Sequence, residues 1–473
     1  MLDILVVGAG PAGVVAALRA GDLGAKTALV TRAEFGGMAA NDGPVPVRTL
    51  AQAARLLREA RQLGRYGISV SEPVLEYPRL LERVREVVAD VRAHSAWHAQ
   101  IDSVGVSVHE HAGDVRFVDA HTLVAASGQR FEAEKIVLCT GGSSRRLAVP
   151  GAEFTCTHSD AWGLSKVPPS MLVIGGGATG AQVASIFGAF GTRVQLFQAG
   201  PRILPTEDED VSREVAEAFR RSGIVVREGF GAIDSFEKTA SGIRMHFSKD
   251  GVRESAEAAL AVVATGWVAN TSGLDLPKAA VETTERGFVR VNEYLQTSVS
   301  HVYAAGDVTG HLLLVPQAVQ EGFVAGTNAV RGPIATLTTA PVPVGSFTDP
   351  EYAQVGLTEA AARAGHEVLA TVVRFDSTTR TIIDGRIEGF CKLVVDRGTS
   401  RILGCHVVGD RAVDIAQVAA LAMSGGLRVD DLARVPLSFP TYAGILGRLA
   451  GTAARQLNRK TEDPTPSWEP GQQ

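Results

Sequence analysis

One pattern of apolar and polar positions occurs twice along the chain. Asp3 to Val7 is a short continuous apolar run, leading into Gly8-Ala9-Gly10-Pro11-Ala12-Gly13, an Ala- and Val-rich stretch to about Gly21, and a second apolar run from Lys26 to Val30. Met171 to Ile174 begins the same series again, through Gly175-Gly176-Gly177-Ala178-Thr179-Gly180, small apolar residues to Phe190, and the run Arg193 to Phe197. Apolar runs this short, bounded by glycine and alternating with longer helical stretches, predict two strand–loop–helix–strand units and parallel sheets. Leu50, Ala53, Ala54, Leu57 and Ala60 recur at helical spacing and predict a helix over 49–65, closed by Gly64 and Gly67; a second helix is expected over 74–97. Residues 113–138 alternate as short strands. The strand pattern returns at Ala261–Gly266 and His301–Asp307, the latter followed by a helix around 317–330. From about Thr338 prolines mark a change, after which strands alternate with helices such as Ala412–Met423.

The glycine spacing gives each unit a chemistry. In the first loop Gly8 permits a tight turn, Gly10 lets the backbone approach a pyrophosphate, and Gly13 lets the helix pack close to the strand, so the N–H groups near Ala12 face phosphate at a helix N-terminus. Gly175, Gly177 and Gly180 repeat those roles. Two such units imply two dinucleotides, and two dinucleotides imply electron transfer between them. The first unit ends in Thr31-Arg32 where an acid ordinarily holds the adenosine ribose, so one hydroxyl replaces a paired carboxylate contact. In the second, Gln198 occupies the selecting position and Arg202 lies close enough in sequence to meet a 2′-phosphate; NADH and NADPH both stay open.

Composition narrows the class. The 473 residues, 45% hydrophobic and 21% charged, suffice for about three globular domains, and a net charge of −5 gives no reason to expect nucleic acid or an anionic membrane as partner. No run of about 18 apolar residues predicts a membrane span. Cys139, Cys156, Cys391 and Cys405 form no C-x-x-C pair and read as reduced buried thiols; residues 2–7 read as a core strand with no leader before them, and a cytoplasmic location is expected. His94, His98, His109 and His111 lack acids or cysteines in register, so no metal site is expected.

Gly36-Gly37-Met38-Ala39-Ala40-Asn41-Asp42-Gly43-Pro44-Val45-Pro46-Val47-Arg48 resembles the active-site segment of the class I pyridine nucleotide–disulfide oxidoreductases, such as dihydrolipoamide dehydrogenase and mercuric reductase. Their usual wording is Gly-Gly-Thr-Cys-Leu-Asn-x-Gly-Cys-Ile-Pro-Ser-Lys. Gly36, Gly37, Asn41, Gly43 and Pro46 keep that frame, but Ala39 and Pro44 stand where the two cysteines belong and Arg48 stands for the lysine. Neither Ala nor Pro carries a thiolate, so thiol–disulfide exchange is excluded at these positions. Further resemblances are Thr140-Gly141-Gly142 at the crossover out of the FAD domain, Thr265-Gly266 closing the nucleotide domain (with Trp267 for the usual Arg), and Gly306-Asp307 with Gln317, the second FAD fingerprint. Phe439-Pro440-Thr441 matches the run that in relatives carries an acid–base His, here Phe; Gln182 replaces the Glu that partners the lysine.

The resemblance implies an α/β fold of two Rossmann-like dinucleotide-binding domains plus a C-terminal α+β dimerisation domain. It divides the chain into 1–150 with 265–335 for FAD, 151–264 for NAD(P), 336–457 for dimerisation, and a disordered tail, 458–473. It implies FAD with NADH or NADPH as cofactors and a homodimer. Arg48, Gln182 and the partner copy's Phe439 are the expected catalytic groups; Met38, Ala39, Pro44 and Phe439 would line an uncharged acceptor pocket, with Gly37 and Met38 against the flavin. The activity this predicts is NAD(P)H oxidation with direct transfer to a small organic acceptor such as a quinone. Tyr442 is the one protein proton donor in view. The alternatives are a flavin oxidase or dehydrogenase of a specialised organic substrate, and a non-catalytic flavin-binding subunit.

Overall fold

The first apolar run forms the centre of a parallel sheet. In the structure, a computed structural model describing residues 1–94, 96–338 and 340–458, the strand Leu2–Val7 lies between Thr27–Val30 and Arg130–Leu138. Ser107–His109 extends the sheet on one side; on the other, Val302–Ala304 pairs with Arg130–Leu138 across a long stretch of intervening sequence. Continuous Val, Ile and Leu runs suit strands covered on both faces, and Leu5, Val6 and Leu29 are fully buried.

A second parallel sheet repeats the arrangement, with Ser170–Ile174 between Arg193–Gln198 and Leu260–Val263. An antiparallel three-stranded sheet of Ala232–Lys238, Ile243–Lys249 and Val252–Ala258 accompanies it. A two-stranded ribbon, Gly142–Ser144 against Trp267–Ala269, joins the two sheet systems. The last sheet is antiparallel and five-stranded, with Phe390–Asp396 and Ile402–Val408 inside it and the helices Ala412–Ser424 and Gly444–Asn458 contributing to its core.

Two helices differ from their expected bounds. The first runs Pro44–Ala60 rather than 49–65: a proline at N1 gives up only an N–H that has no helical partner. The chain then makes a separate 3-10 turn, Leu63–Tyr66, closed by Gly67 at φ +74. The second spans Tyr77–His94, with Pro78 in its first turn, and a further helix covers Trp97–Ser103. Of the expected tail, residues 459–473 lie outside the described residues. No described helix is long and apolar enough to cross a membrane.

Candidate dinucleotide and electron-transfer site

The two glycine loops are near-superposable in their local geometry. Gly8 has φ +107 and Gly175 φ +106; a Cβ on either would lie 2.2 or 2.3 Å from the carbonyl oxygen of Cys139 or Ala264. The helix N-caps, Gly10 and Gly177, have φ/ψ of −76/−179 and −76/−175, with no side chain capping either helix. A Cβ on Gly13 or Gly180 would sit 1.7 or 1.8 Å from the carbonyl of Gly8 or Gly175. The first and third glycines are therefore required by the fold. The middle ones are different: Gly10 has nothing nearer than Gly37 Cα at 4.0 Å and Gly177 has nothing within 4 Å, so these positions leave room for a ligand's phosphates at an uncapped helix end.

Buried polar atoms without partners mark the rest of the cradle. Thr140 Oγ1 and Thr265 Oγ1, which follow the strands Arg130–Leu138 and Leu260–Val263 beside the two glycine-loop strands, are buried and make no hydrogen bond. Burying such a group unpaired costs roughly 1–3 kcal/mol, which a bound dinucleotide would relieve. Asp307 follows Gly306 at φ +78, and burial together with nearby Glu321 pushes its carboxyl up to about 6. No protein donor reaches the Asp307 carboxylate among the described residues, leaving it open to hydroxyl groups of a ligand. These residues fit FAD at the first loop and a nicotinamide dinucleotide at the second.

Glu321, which the sequence did not single out, organises this corner. Fully buried, it accepts hydrogen bonds from Gly306 N at 2.7 Å, Gln317 Nε2 at 3.0 Å and Thr309 Oγ1 at 3.3 Å, and it pairs with His311 Nδ1 at 2.9 Å. Gln317 thus serves the carboxylate that holds Gly306. Gly322 and Gly326 let the helix Val315–Arg331 lie directly on the first glycine-loop helix, Pro11–Asp22, where any Cβ would meet Ala12 O at 2.2 Å or Ala16 O at 2.6 Å. Glycines spaced one helical turn apart beyond an acid were the available signal.

At the adenosine ends the picture is plainer. Thr31 is buried, whereas Arg32 is exposed and reaches Asp114 at 3.3 Å. Gln198 Oε1 accepts from Gly176 N at 2.8 Å, folding the side chain over the loop. Arg202 donates to Leu204 O at 3.1 Å, Glu207 O at 3.0 Å and Pro205 O at 3.0 Å, so its guanidinium, expected near a 2′-phosphate, is engaged by backbone carbonyls. Gly266 has φ +113 and Gly141 φ +72, both left-handed turns beside the orphan threonines.

The segment that should face the flavin folds as a short helix, Gly37–Asn41, running into Pro44–Ala60. Gly37, at φ +56, is pressed on Gly10: a Cβ there would be 2.6 Å from Gly10 Cα. Met38 O accepts from Asp42 N and Gly43 N, turning the chain between the two helices, and Met38 and Ala39 are half-buried while Pro44 is exposed. Asp42 accepts from Ser159 Oγ at 2.5 Å, next to His158, whose Nδ1 lies 2.7 Å from Ser144 Oγ and whose ring meets Trp267 edge-on. No cysteine lies in the segment. The four cysteines are free, and the one close pair, Cys391 and Cys405 at 3.8 Å, is buried in the C-terminal sheet.

Arg48 and Gln182 are not joined by a hydrogen bond. The Arg48 guanidinium lies 3.6 Å over the Phe347 ring, and Gln182 donates to Ala178 O at 3.5 Å. Phe439 is 65% exposed in the single chain. Tyr442 donates to Asp384 at 2.9 Å, and burial with Asp410 and Asp384 nearby pushes its phenol up.

Residues 2–322 match the family model described as pyridine nucleotide-disulphide oxidoreductase, and 342–450 match that family's dimerisation domain. Mercuric reductase of Lysinibacillus sphaericus is 31% identical over 93% of this chain and 80% of its own length. Dihydrolipoyl dehydrogenases of Bacillus subtilis and Thermus scotoductus are 32% and 33% identical, covering 89% and 97% of this chain and 91% and 99% of theirs. Among solved structures, the HOCl-induced flavoprotein disulfide reductase RclA from Escherichia coli superposes with a TM-score of 0.84 at 22% identity, covering 95% of this chain and 99% of that one.

Proposed function

Because the chain belongs to the pyridine nucleotide-disulphide oxidoreductase family, whose members use FAD and NAD(P)H, we propose that it is a homodimeric NAD(P)H:acceptor oxidoreductase working without a redox disulfide. The observation that carries this reading is the Gly36–Arg48 segment: it keeps the turn that presses Gly37 on Gly10, yet holds Ala39 and Pro44 where a sulfur relay would need thiols. When bound, FAD supplies the two-electron chemistry between a nicotinamide and an organic acceptor. The protein's share is then to bind, orient and shield. Gly10 and Gly177 leave room for the two pyrophosphates, Asp307 offers an acceptor to hydroxyl groups, and Met38, Ala39, Pro44 and the partner's Phe439 form an uncharged surface for a flat acceptor such as a quinone. Arg48 offers a fixed positive charge that favours an anionic reduced ring.

The named relatives are mercuric reductases and dihydrolipoyl dehydrogenases, so sulfur-free transfer is the point to test. Anaerobic titration of the purified yellow protein with NADH, and separately NADPH, should bleach the flavin, and a quinone should restore the colour without added dithiol. Absence of bleaching with both nucleotides would refute it. A second reading, an oxidase or dehydrogenase of a specialised organic substrate, is favoured by Gln198 folded onto Gly176 and Arg202 engaged with backbone, so that neither of the two side chains expected to select the adenosine ribose is free to do so. Oxygen consumption with organic substrates but not with NAD(P)H would choose it.

A further inference from the structure

Between the Pro44–Ala60 helix and the C-terminal sheet lies an open cavity of about 220 Å³ lined by five arginines. Its acids are already engaged. Asp410 is held by Arg55 at 3.0 Å, Asp349 by Arg58 at 2.5 Å, and Glu351 lies 3.5 Å from Arg55. The other three cations have no such partner. Arg386, only 18% exposed, approaches Asp349 and Asp410 no closer than 3.8 and 4.0 Å. Arg411 reaches Asp414 at 3.7 Å and Arg48 lies on the face of Phe347, both in the field of Glu351 but without a hydrogen bond to it. Among the described residues, the side chains of Arg48, Arg386 and Arg411 make no hydrogen bond.

A guanidinium carries five donors in a rigid fork suited to carboxylate and phosphate oxygens. Three forks without a hydrogen-bonded acceptor around one cavity leave room for oxygen, because the wall's three carboxylates are shared among five guanidinium groups. The volume exceeds that of several waters, about 30 Å³ each, and so admits a compact oxyanion while excluding a dinucleotide. We propose that this cavity binds a small oxyanion of two or more charges, inorganic phosphate or a short dicarboxylate, clasped by Arg386 and Arg411 with Arg48 also on its wall. Charge-assisted, bidentate contacts of this kind are the strong class of hydrogen bond. Arg48 also belongs to the proposed electron-transfer site, but the anion site rests on its own contacts and is measured by binding.

The test uses the FAD-loaded dimer in chloride buffer, with equilibrium dialysis against labelled phosphate and, separately, labelled malonate. Saturable binding of one anion per chain is expected for at least one of the two, and the arm that binds identifies the chemistry. Arg386→Ala and Arg411→Ala should each weaken it about tenfold or more, and Arg386→Lys, which keeps charge but loses the fork, should weaken it less. Should Arg386→Ala fail to fold, the exposed Arg411→Ala decides alone. Non-saturable uptake of both anions, including the case in which the partner chain fills the cavity, or wild-type affinity in Arg411→Ala, would overturn the proposal, whether or not NAD(P)H bleaches the flavin.

Discussion

Lys392 sits where the second dinucleotide unit meets the C-terminal sheet, and replacing it by Met should separate the two. Its side chain is 3% exposed and lies 2.9 Å from Asp208, 2.7 Å from Asp210 and 2.6 Å from Glu359. Met keeps the stem's volume and removes the charge. Asp210 and Glu359 retain Arg213 and Arg363 as partners. Asp208, 2% exposed at its side chain, keeps the N–H donors of Glu359 at 2.9 Å and Asp210 at 3.2 Å, with His406 nearby. Removing one member of a buried pair costs about 3–5 kcal/mol, and the surviving arginines place Lys392→Met near the lower end, about 3 kcal/mol. Urea unfolding at pH 7 measures it. The double variant Lys392→Met with Asp208→Asn should recover much of the loss, because the stranded charge is gone. Against opposing burial, the Glu359 N–H and Lys392 hold the Asp208 carboxyl below its ordinary value, and Lys392 with Arg213 or Arg363 does the same for Asp210 and Glu359. Their contribution is thus complete above the ordinary carboxylate range and lost as pH falls through the lowered values; the Lys392→Met curve should be flatter there. A single-variant loss under about 1 kcal/mol, the value of a surface pair, would refute the reasoning.

Burial raises the Glu207 carboxyl from 4.5 to about 7, a bias of about 3 kcal/mol at 1.36 kcal/mol per unit. The neutral form's advantage is complete below 4.5 and lost as pH rises through about 7, so Glu207→Gln should match wild type in denaturant at pH 4 and exceed it at pH 8; parallel pH profiles would contradict this. Glu321 raises the His311 imidazole, so their pair adds stability fully below 6.5 that fades as pH passes the raised value; FAD release measured against pH should lose that step in His311→Asn. Gly10→Ala should keep the fold's melting temperature but lower FAD content at least tenfold, whereas Gly13→Ala, colliding with Gly8 O, should lower the melting temperature itself; equal melting losses would remove the distinction between a ligand's glycine and a packing glycine.

Both glycine loops, the parallel strands around them and the absence of cysteine from Gly36–Arg48 were legible in the sequence, because they follow from residue type at fixed spacing. Gly8, Gly13, Gly175 and Gly180 are dictated by backbone collisions that no side chain can avoid, and Ala39 and Pro44 lack sulfur wherever they lie. What the fold alone decided are partners far apart in the chain. Arg48 against Phe347, Glu321 beneath Gly306, and Lys392 among Asp208, Asp210 and Glu359 all depend on which surfaces the helices and sheets bring together. Local spacing sets what a segment can become; long-range packing sets which charges are left without water and which neighbour must answer them.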